Sequence, residues 1–408
     1  MKNTVAITRI LDDDVEQAVF KALDHLEASK LMKDGMFVLL KPNMLSAKPP
    51  ERAVTTHPKV LEAVIHWVKK FNPRRIVVAD SSAGISRGTT EKVFKESGLQ
   101  AACESENVEF TPFESTSREI YHVENPLVIE EFPASTLLKE ADLIINLPKI
   151  KTHGLTKLTC SIKNMFGTLL LGQKPKTHAA YPGIRQFSDA LADVYSVFQP
   201  ALTIVDGYFC QEGRGPAAGD VVKLDIIVSG LNGLLVDQVI CNIIGLDPSK
   251  VHHLSSCIEK GLGPANPEGL ELLGEPIESV KRDFKIPRGS PLAGAPIPRF
   301  IANFVANRLF KAKIKFDDEA CKLCGTCWKN CPVEAISPPD EMVKGNIPRW
   351  DSKKCIACYC CAETCPYEAI EFAMHPIRNA ATTWEFYLIL AAGIVILVLL
   401  IKLIKFIT

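Results

Sequence analysis

The sequence lacks several features that would assign it to a familiar class. It carries no net charge, because 47 basic residues balance 47 acidic ones. It also has no long run of one sign, so no nucleic-acid partner is predicted. Its N-terminus has no apolar stretch of the kind that forms a secretory signal. It contains neither a P-loop motif nor, after its first apolar strand, the glycine fingerprint of dinucleotide-binding folds.

Cysteine, by contrast, is abundant and unevenly distributed. Of the 14 cysteines, nine fall between Cys321 and Cys365. The other five are scattered without a spacing pattern, at Cys103, Cys160, Cys210, Cys241 and Cys257. Disulfides persist mainly in oxidising compartments. With no sign of export, these five are therefore predicted to be reduced core residues of a cytoplasmic protein.

Eight of the clustered cysteines form two copies of C-x2-C-x2-C-x3-C followed by proline, 34 residues apart. This is the pattern of bacterial ferredoxins with two 4Fe–4S clusters, in which the fourth cysteine of each copy binds the other cluster. The predicted ligand sets are Cys321, Cys324 and Cys327 with Cys365, and Cys355, Cys358 and Cys361 with Cys331. A structural zinc site is the alternative, but it needs only four thiolates and would not explain the duplication.

The second copy departs from the first at two positions. Cys360 stands where the first copy has Thr326, so it is predicted to be a neighbour of the cluster rather than a ligand. Tyr359 replaces Gly325 and is expected to crowd its loop. Cluster potentials span about −700 to +450 mV with hydrogen bonding and exposure. The motif therefore predicts electron transfer without indicating its direction.

The N-terminal part of the chain reads as alternating strands and helices. The predicted strands are Val5–Ile10, Phe37–Lys41, Ile76–Asp80, Leu143–Leu147, Leu202–Val205 and Leu224–Val228. The predicted helices are Val15–Leu31, Pro58–Phe71, Thr89–Ser97, Ile184–Phe198 and Leu231–Ile244. This alternation predicts a three-layer α/β domain with a mostly parallel sheet. The expected fold class adds a small α+β ferredoxin-like two-cluster domain and a C-terminal transmembrane helix.

Composition divides the chain into four parts. These are an α/β domain at 1–263, a proline-rich connector with a basic amphipathic helix at 264–315, the two-cluster domain at 316–375 and a transmembrane helix at 384–407. The basic helix fits a membrane-surface helix or, as we favour, a connector packed on the main domain.

The C-terminal segment is apolar over about the length needed to cross a bilayer. Trp384 and Tyr387 stand where an interfacial aromatic belt would lie. A buried core helix is the alternative. We predict a single-pass protein of the cell membrane with its soluble domains in the cytoplasm, although Lys402 and Lys405 leave the orientation open.

Lys149, Lys151 and His153 occupy alternate positions after the strand Leu143–Leu147, so an extended chain would point them to one face. Lys163 and Asn164 follow in a segment able to form a helix. Lysine binds carboxylate or phosphate as a point charge, and histidine exchanges protons near neutral pH. These residues are predicted to be catalytic, in an anion or acid–base site. A solvated strand edge with lysines that discourage pairing is the alternative.

Ligands in α/β sheets bind at the carboxyl ends of the strands. The residues there with suitable side chains are predicted to bind the substrate: Lys41, Asn43, His57, Asp80, Asp206 and Arg214. His57 could instead lie at a helix start, where Thr55 or Thr56 would cap it. An isolated aspartate after a strand could instead cap a turn. Arg214 lies in a glycine-rich segment interpreted as a loop that covers the substrate.

Several of these segments together resemble one known family, the domain of unknown function 362. They are KPN at 41–43, TTHP at 55–58, DSS at 80–82, LPKIKTH at 147–153, SIKNMFG at 161–167 and the DG to EGRGP stretch at 206–216. The resemblance covers about residues 36 to 245. Its members often carry a ferredoxin module and are described as iron–sulfur centre proteins. The domain is also distantly similar to the lactate-racemase-like α/β fold, from which no nickel cofactor is transferred.

Three functions fit these observations. The first is a membrane-attached oxidoreductase that passes electrons through two 4Fe–4S clusters to a small anionic or carbonyl-bearing substrate. Its expected partners are membrane lipid and an electron donor or acceptor, either a protein or a quinone. The second is an electron-transfer subunit whose α/β domain docks a partner enzyme or binds a cofactor without catalysis. The third is a non-redox enzyme with structural or sensory clusters. No flavin fingerprint is visible, so a flavin is neither predicted nor excluded.

Overall fold

The computed structural model describes residues 3–84, 88–265, 269–287, 313–356 and 358–373. Within these ranges no helix has both the length and the apolar character needed to cross a membrane. The predicted transmembrane helix at 384–407 and nearly all of the predicted amphipathic helix lie outside them.

The large domain contains twelve strands and eleven α-helices within the described residues. The strands are β1 Thr4–Arg9, β2 Phe37–Pro42, β3 Arg75–Asp80, β4 Glu109–Pro112, β5 Arg118–His122, β6 Glu131–Ser135, β7 Leu143–Leu147, β8 Lys149–His153, β9 Lys157–Thr159, β10 Leu202–Glu212, β11 Asp220–Gly230 and β12 Glu271–Gly274. The helices are α1 Val15–His25, α2 Pro58–Lys69, α3 Thr89–Glu96, α4 Leu99–Ser105, α5 Leu137–Glu140, α6 Ser161–Asn164, α7 Gln173–Ala180, α8 Ile184–Val197, α9 Gly233–Ile243, α10 His252–Glu259 and α11 Ile277–Val280. Short 3-10 helices lie at Ala28–Leu31, Pro50–Arg52, Phe113–Ser115, Met165–Thr168 and Pro248–Lys250.

Ten of these strands form one sheet in the order β12-β1-β11-β10-β7-β2-β3-β4, with β8 beside β10 and β9 beside β8. Its pairings are parallel except β1–β11, β10–β11 and β8–β9. The predicted mostly parallel sheet is therefore confirmed. Its central strands are apolar on both sides because helices cover both faces.

Two apolar cores, one on each face of the sheet, make the domain three-layered. One core joins the sheet to α1, α2, α3 and α4. The other joins it to α8, α9 and α10. Polar caps mark helix starts, since Asp14 accepts a hydrogen bond from the backbone N–H of Gln17 and Asn232 accepts from those of Leu234 and Leu235.

The α/β domain extends further along the chain than the predicted boundary at residue 263. β12 runs parallel to β1 at the edge of the main sheet. Val280 and Phe284 are buried in the domain core, and the N–H of Phe284 donates to the carbonyl of Ile244 at 3.0 Å. Apolar side chains and strand pairing thus bind residues 269–287 to the domain, although their prolines had indicated a connector.

The small module has a pseudo-repeated structure that matches its duplicated sequence. Its strands β13 Lys313–Phe316 and β16 Ile370–Ala373 pair with each other, as do β14 Ile336–Ser337 and β15 Arg349–Trp350. Short helices at Thr326–Lys329 and Cys360–Glu363, called here the first and second cluster helices, complete it. Because β13 pairs within the module from Lys313 onwards, residues 313–315 belong to it and not to the predicted connector.

The residue before each cluster helix has a left-handed backbone, with φ of 85° at Gly325 and 69° at Tyr359. This conformation is strained for tyrosine. The Tyr359 ring packs against the α/β domain, because a Cβ atom on Gly154 would lie only 2.9 Å from its Cε1. The tyrosine expected to crowd its own loop therefore contacts the other domain, where Gly154 leaves room for it.

Candidate active site at the junction of the two domains

Two cavities in the small module are lined by the cysteines that the sequence grouped together. The first, about 310 Å³ including its open mouth, contains Cys321, Cys324, Cys327 and Cys365. The second, about 290 Å³ on the same basis, contains Cys331, Cys355, Cys358 and Cys361. Four thiolates around one cavity are the donor set of a 4Fe–4S cluster, so these residues fit two such clusters. In both sets the fourth ligand comes from the other copy of the motif.

The two cluster cavities differ in their surroundings. In the first loop Cys324 is exposed to solvent. In the second loop its counterpart Cys358 is half-buried, and Tyr359, which lines the second cavity, rests on the α/β domain. The second cavity therefore lies on the side of the module that faces the large domain.

A pocket of about 690 Å³, including the part open to solvent, lies at the junction of the domains. The α/β domain contributes residues from the ends of β2 and β3, from β8 and from helices α6 and α7. The small module contributes Asn330, Cys360, Glu363 and Thr364. Neither domain forms this pocket alone. It could therefore not be located from the motifs of the α/β domain or from the cysteine motifs of the small module taken separately.

A buried ion pair forms the inner wall of the pocket. Lys41 Nζ lies 2.8 Å from Asp80 Oδ1, and both side chains are almost fully buried. The backbone N–H of Met44 donates to Asp80 Oδ2 at 3.0 Å. At Gly167 an added Cβ would lie 2.3 Å from Asp80 Oδ1. Glycine is therefore needed where the backbone passes this pair.

Lys151 and Asn164 are joined through Asn43 in a buried polar network. Lys151 Nζ donates to Asn43 Oδ1 at 2.8 Å and to the carbonyl of Val54 at 2.7 Å. Asn43 Nδ2 in turn donates to Asn164 Oδ1 at 2.9 Å. Asp237 caps α6 by accepting from the N–H groups of Ser161 and Ile162, which holds the helix that carries Asn164.

Lys163 on α6 is the cation with the greatest freedom to bind a ligand. It lines the pocket, and within the described residues no hydrogen bond or ion pair engages its ammonium group. Burial lowers its pKa, while the charge of Glu363 opposes that shift. An anionic group entering the pocket would therefore meet an ammonium group with three free donors.

Glu363 on the second cluster helix brings an acid into the pocket from the small module. Its Oε1 lies 3.1 Å from His153 Nε2, although the ring N–H is not aligned for a good hydrogen bond. His153 Nδ1 accepts from the N–H groups of Leu155 and Thr156, so its proton is on Nε2. Burial lowers the pKa of His153 to about 4. The imidazole is therefore neutral at pH 7.

Two lining residues, Lys174 and His178 on α7, were not identified from the sequence. Lys174 Nζ donates to the carbonyls of Ser81, Ser82 and Leu169 and so holds the loop after β3. Burial lowers its pKa to about 8. His178 stacks on Phe187 at 4.0 Å between ring centroids. The segment that carries them shows no apolar periodicity, so only its basic composition could have pointed to a site.

Lys149, Asp206 and His57 do not line the pocket. Lys149 Nζ lies 2.6 Å from Asp206 Oδ2, and both side chains are fully buried. The backbone N–H of His57 donates to the same oxygen at 2.7 Å. His57 Nδ1 accepts from the N–H of Lys59 at 3.2 Å and so caps α2. Lys149 and Asp206 are thus paired in the core and half-buried His57 caps α2. None of the three lines the pocket, and the catalytic and substrate-binding roles predicted from the sequence stay predictions.

Arg214 also lies away from the pocket and pairs with Glu371 of the small module. On a second part of the interface Glu368 accepts from Lys48 at 3.0 Å and from Arg52 at 2.8 Å. Arg214 therefore contributes to the contact between the domains, and its substrate-binding role stays a prediction. Of the residues predicted from the α/β domain, the structure brings together Asn43, Asp80, Lys151, Lys163 and Asn164 as pocket lining, with Lys41 and His153 directly behind it.

The α/β domain and the two-cluster module together place this chain in the class of iron–sulfur electron-transfer proteins. The protein-family model of a 4Fe-4S dicluster domain matches residues 313–366. The model of a domain of unknown function (DUF362) matches residues 38–242, half of the chain. The chain belongs to this DUF362 family.

One curated relative is a thylakoid-associated protein from Synechocystis sp., 29% identical over 260 residues, which are 63% of this chain and 78% of that protein. Among solved structures, the lactate racemase apoprotein from Thermoanaerobacterium thermosaccharolyticum matches with a TM-score of 0.36 and 15% identity over 64% of this chain. A protein from Thermotoga maritima matches with a TM-score of 0.35 and 10% identity over 61%. This chain spans 57% and 58% of their lengths, and neither likeness supports an inference about cofactor or reaction.

Proposed function

We propose that the chain is a membrane-attached iron–sulfur oxidoreductase. In this proposal electrons pass through two 4Fe–4S clusters to a small anionic or carbonyl-bearing substrate in the pocket between the domains. The observation that carries it is the position of two consecutive residues. Cys360 lines the substrate pocket and Cys361 lines the second cluster cavity. Adjacent Cα atoms are about 3.8 Å apart, so the two sites are separated by little more than the second cluster helix.

The bound clusters would supply electrons one at a time. Lys163 binds the anionic group, and its positive charge stabilises negative charge that develops on a neighbouring substrate oxygen. Lys151 lies on the same wall and is buried. The small module covers part of the pocket and keeps bulk water from it. The interactions of Lys163 with the anionic group and with the developing negative charge are stronger as a result.

We expect the reduced protein to be reoxidised by a small anionic carbonyl compound. The protein would be reduced with dithionite and separated from excess reductant under anaerobic conditions. It would then be mixed with pyruvate, acetone or acetate. Reduction of a carbonyl to a hydroxyl consumes two electrons and two protons, and two reduced clusters hold two electrons. Pyruvate should therefore restore the absorbance of the oxidised clusters at least about tenfold faster than the other probes. Loss of one ionic contact of about 1.5–3 kcal/mol should make Lys163→Met at least about tenfold slower.

Lys139→Met is the matched control, because Lys139 is exposed and lies on α5 outside the pocket. Its reoxidation rate should equal that of the unaltered protein. Reoxidation that requires an added partner protein and does not change in Lys163→Met would contradict the proposal. That result would instead identify an electron-transfer subunit.

Membrane attachment through residues 384–407 is part of the same proposal. Its support is the uncharged run Phe386 to Ile401, and the relative described as thylakoid-associated is consistent with it. The full chain should sediment with cell membranes after a high-salt wash, with its soluble domains on the cytoplasmic side. A chain that ends at residue 376 should appear in the supernatant with both clusters intact. Recovery of the full chain in the supernatant would refute the attachment.

A further inference from the structure

Lys151 has an unusual set of partners for a buried lysine. Its side chain is fully buried and lines the pocket. Its ammonium nitrogen donates to two neutral oxygens, Asn43 Oδ1 at 2.8 Å and the Val54 carbonyl at 2.7 Å. No described carboxylate lies within ion-pair distance of it. A buried lysine without a carboxylate partner is costly as a cation, and this favours the neutral amine.

A chain of three asparagines determines which atom of Asn43 faces Lys151. Asn43 Nδ2 donates to Asn164 Oδ1, and Asn164 Nδ2 donates to Asn146 Oδ1 at 2.7 Å. Asn146 Nδ2 then donates to the backbone carbonyl of Ser161 at 3.1 Å. The backbone carbonyl of Ser161 can only accept, which orients Asn146. The carbonyls of Lys41 and Pro42 likewise accept from Asn164 Nδ2. The amide direction is therefore the same along the chain, and Asn43 presents its oxygen to Lys151.

These contacts account for both N–H bonds of a neutral Lys151. An amine nitrogen has two hydrogens and one lone pair besides its bond to Cε. With both hydrogens directed at Asn43 and Val54, the lone pair is left without a hydrogen-bond donor among the described residues, at a residue that lines the pocket. Burial and the neighbouring ammonium groups of Lys163 and Lys149 hold the pKa of Lys151 well below its usual value. Desolvation beside another cation is a recognised way of making lysine nucleophilic.

We propose that Lys151 forms an imine with the carbonyl carbon of a small 2-oxo acid held in this pocket. The choice of ligand class rests on the proposed function. The lone pair of Nζ forms the C–N bond, and the carbonyl oxygen leaves as water with both amine hydrogens. Uptake of one proton gives an iminium whose single N–H can still donate to Asn43 or Val54. Lys163 holds the carboxylate of the same molecule.

The test is covalent trapping on the full-length protein with oxidised clusters, so that no electron transfer is involved. The protein is incubated near pH 7 with pyruvate or glyoxylate and sodium cyanoborohydride, which reduces iminium ions to stable amines. Peptide mass spectrometry then locates the adduct. Modification of Lys151 should exceed that of any exposed lysine at least about tenfold. It should be absent in Lys151→Arg and several-fold lower in Lys163→Met.

Lys139→Arg controls for general lysine chemistry and should leave the modification of Lys151 unchanged. Adducts on exposed lysines or on Lys163, with Lys151 unmodified by either probe, would overturn the inference. Electron paramagnetic resonance of both clusters, recorded on a separately reduced sample, verifies that each variant is folded. Trapping at Lys151 without reoxidation by pyruvate would support the imine and contradict the reductase. Reoxidation that depends on Lys163, without any adduct on Lys151, would support the reductase and contradict the imine.

Discussion

Replacing Cys361 with serine should remove about four of the roughly eight iron atoms expected for two 4Fe–4S clusters. Replacing its neighbour Cys360 should remove none. Cys361 faces the cavity that also holds Cys331, Cys355 and Cys358, whereas Cys360 faces the pocket between the domains. The two side chains are adjacent in sequence and nearly equal in burial. Only their direction from the second cluster helix distinguishes them.

The measurement is iron and sulfide content per chain after anaerobic purification, together with the resonance spectrum of the reduced protein. Cys361→Ser should retain one cluster signal, lose the magnetic interaction between two clusters and fail to pass electrons to the pocket. Cys360→Ser should keep both signals, although its substrate kinetics can change because the residue lines the pocket. A loss of iron in Cys360→Ser equal to that in Cys361→Ser would contradict the ligand assignment.

Asp206→Ala should destabilise the α/β domain by roughly 3–5 kcal/mol, the usual cost of breaking a buried ion pair. Asp206 is the sole described carboxylate paired with buried Lys149, at 2.6 Å. It also accepts from the backbone N–H of His57 at 2.7 Å and that of Tyr208 at 3.0 Å. Its removal would leave an uncompensated charge and two unsatisfied donors in the core. For a domain of this size the midpoint of thermal unfolding should fall by about 10 °C.

Asp220→Ala is the matched control, because Asp220 pairs with Lys285 while both side chains remain largely exposed. Exposed ion pairs contribute little to stability, so its unfolding midpoint should scarcely move. Both variants would be compared at one heating rate by circular dichroism. If Asp206→Ala kept full stability but lost binding of pyruvate, Asp206 would belong to the substrate site, as its place after an apolar strand had suggested.

The strands and helices of the large domain were largely predictable, because their patterns depend on local burial. All six predicted strands are present, and β11 and β10 are longer than their apolar runs indicated. The end of the domain was placed too early, since β12 joins the sheet through pairing with β1. Pairing between distant segments leaves no local pattern in so short a strand.

The candidate site was only partly predictable for the same reason. Lys149, Lys151 and His153 alternate along β8, as an extended chain requires, but each meets a different partner. Lys149 is neutralised by Asp206 from β10, and His153 faces Glu363 from the small module. Lys151 alone of the three lines the pocket. Spacing placed the side chains on one face, and the charges opposite them determined their roles.

The two iron–sulfur clusters show which features the sequence determines and which depend on the tertiary structure. Spacing alone determined the two cysteine sets, because each loop must wrap its cluster with residues close in sequence and the fourth thiolate follows from the duplication. Only the tertiary structure decided which cluster faces the α/β domain and that Cys360 and Glu363 close its pocket. It also decided that Lys163 lines this pocket with no hydrogen-bond or ion-pair partner among the described residues. Those features depend on packing between domains, whose contacts involve single residues far apart in the chain and therefore leave no repeat or period in the sequence.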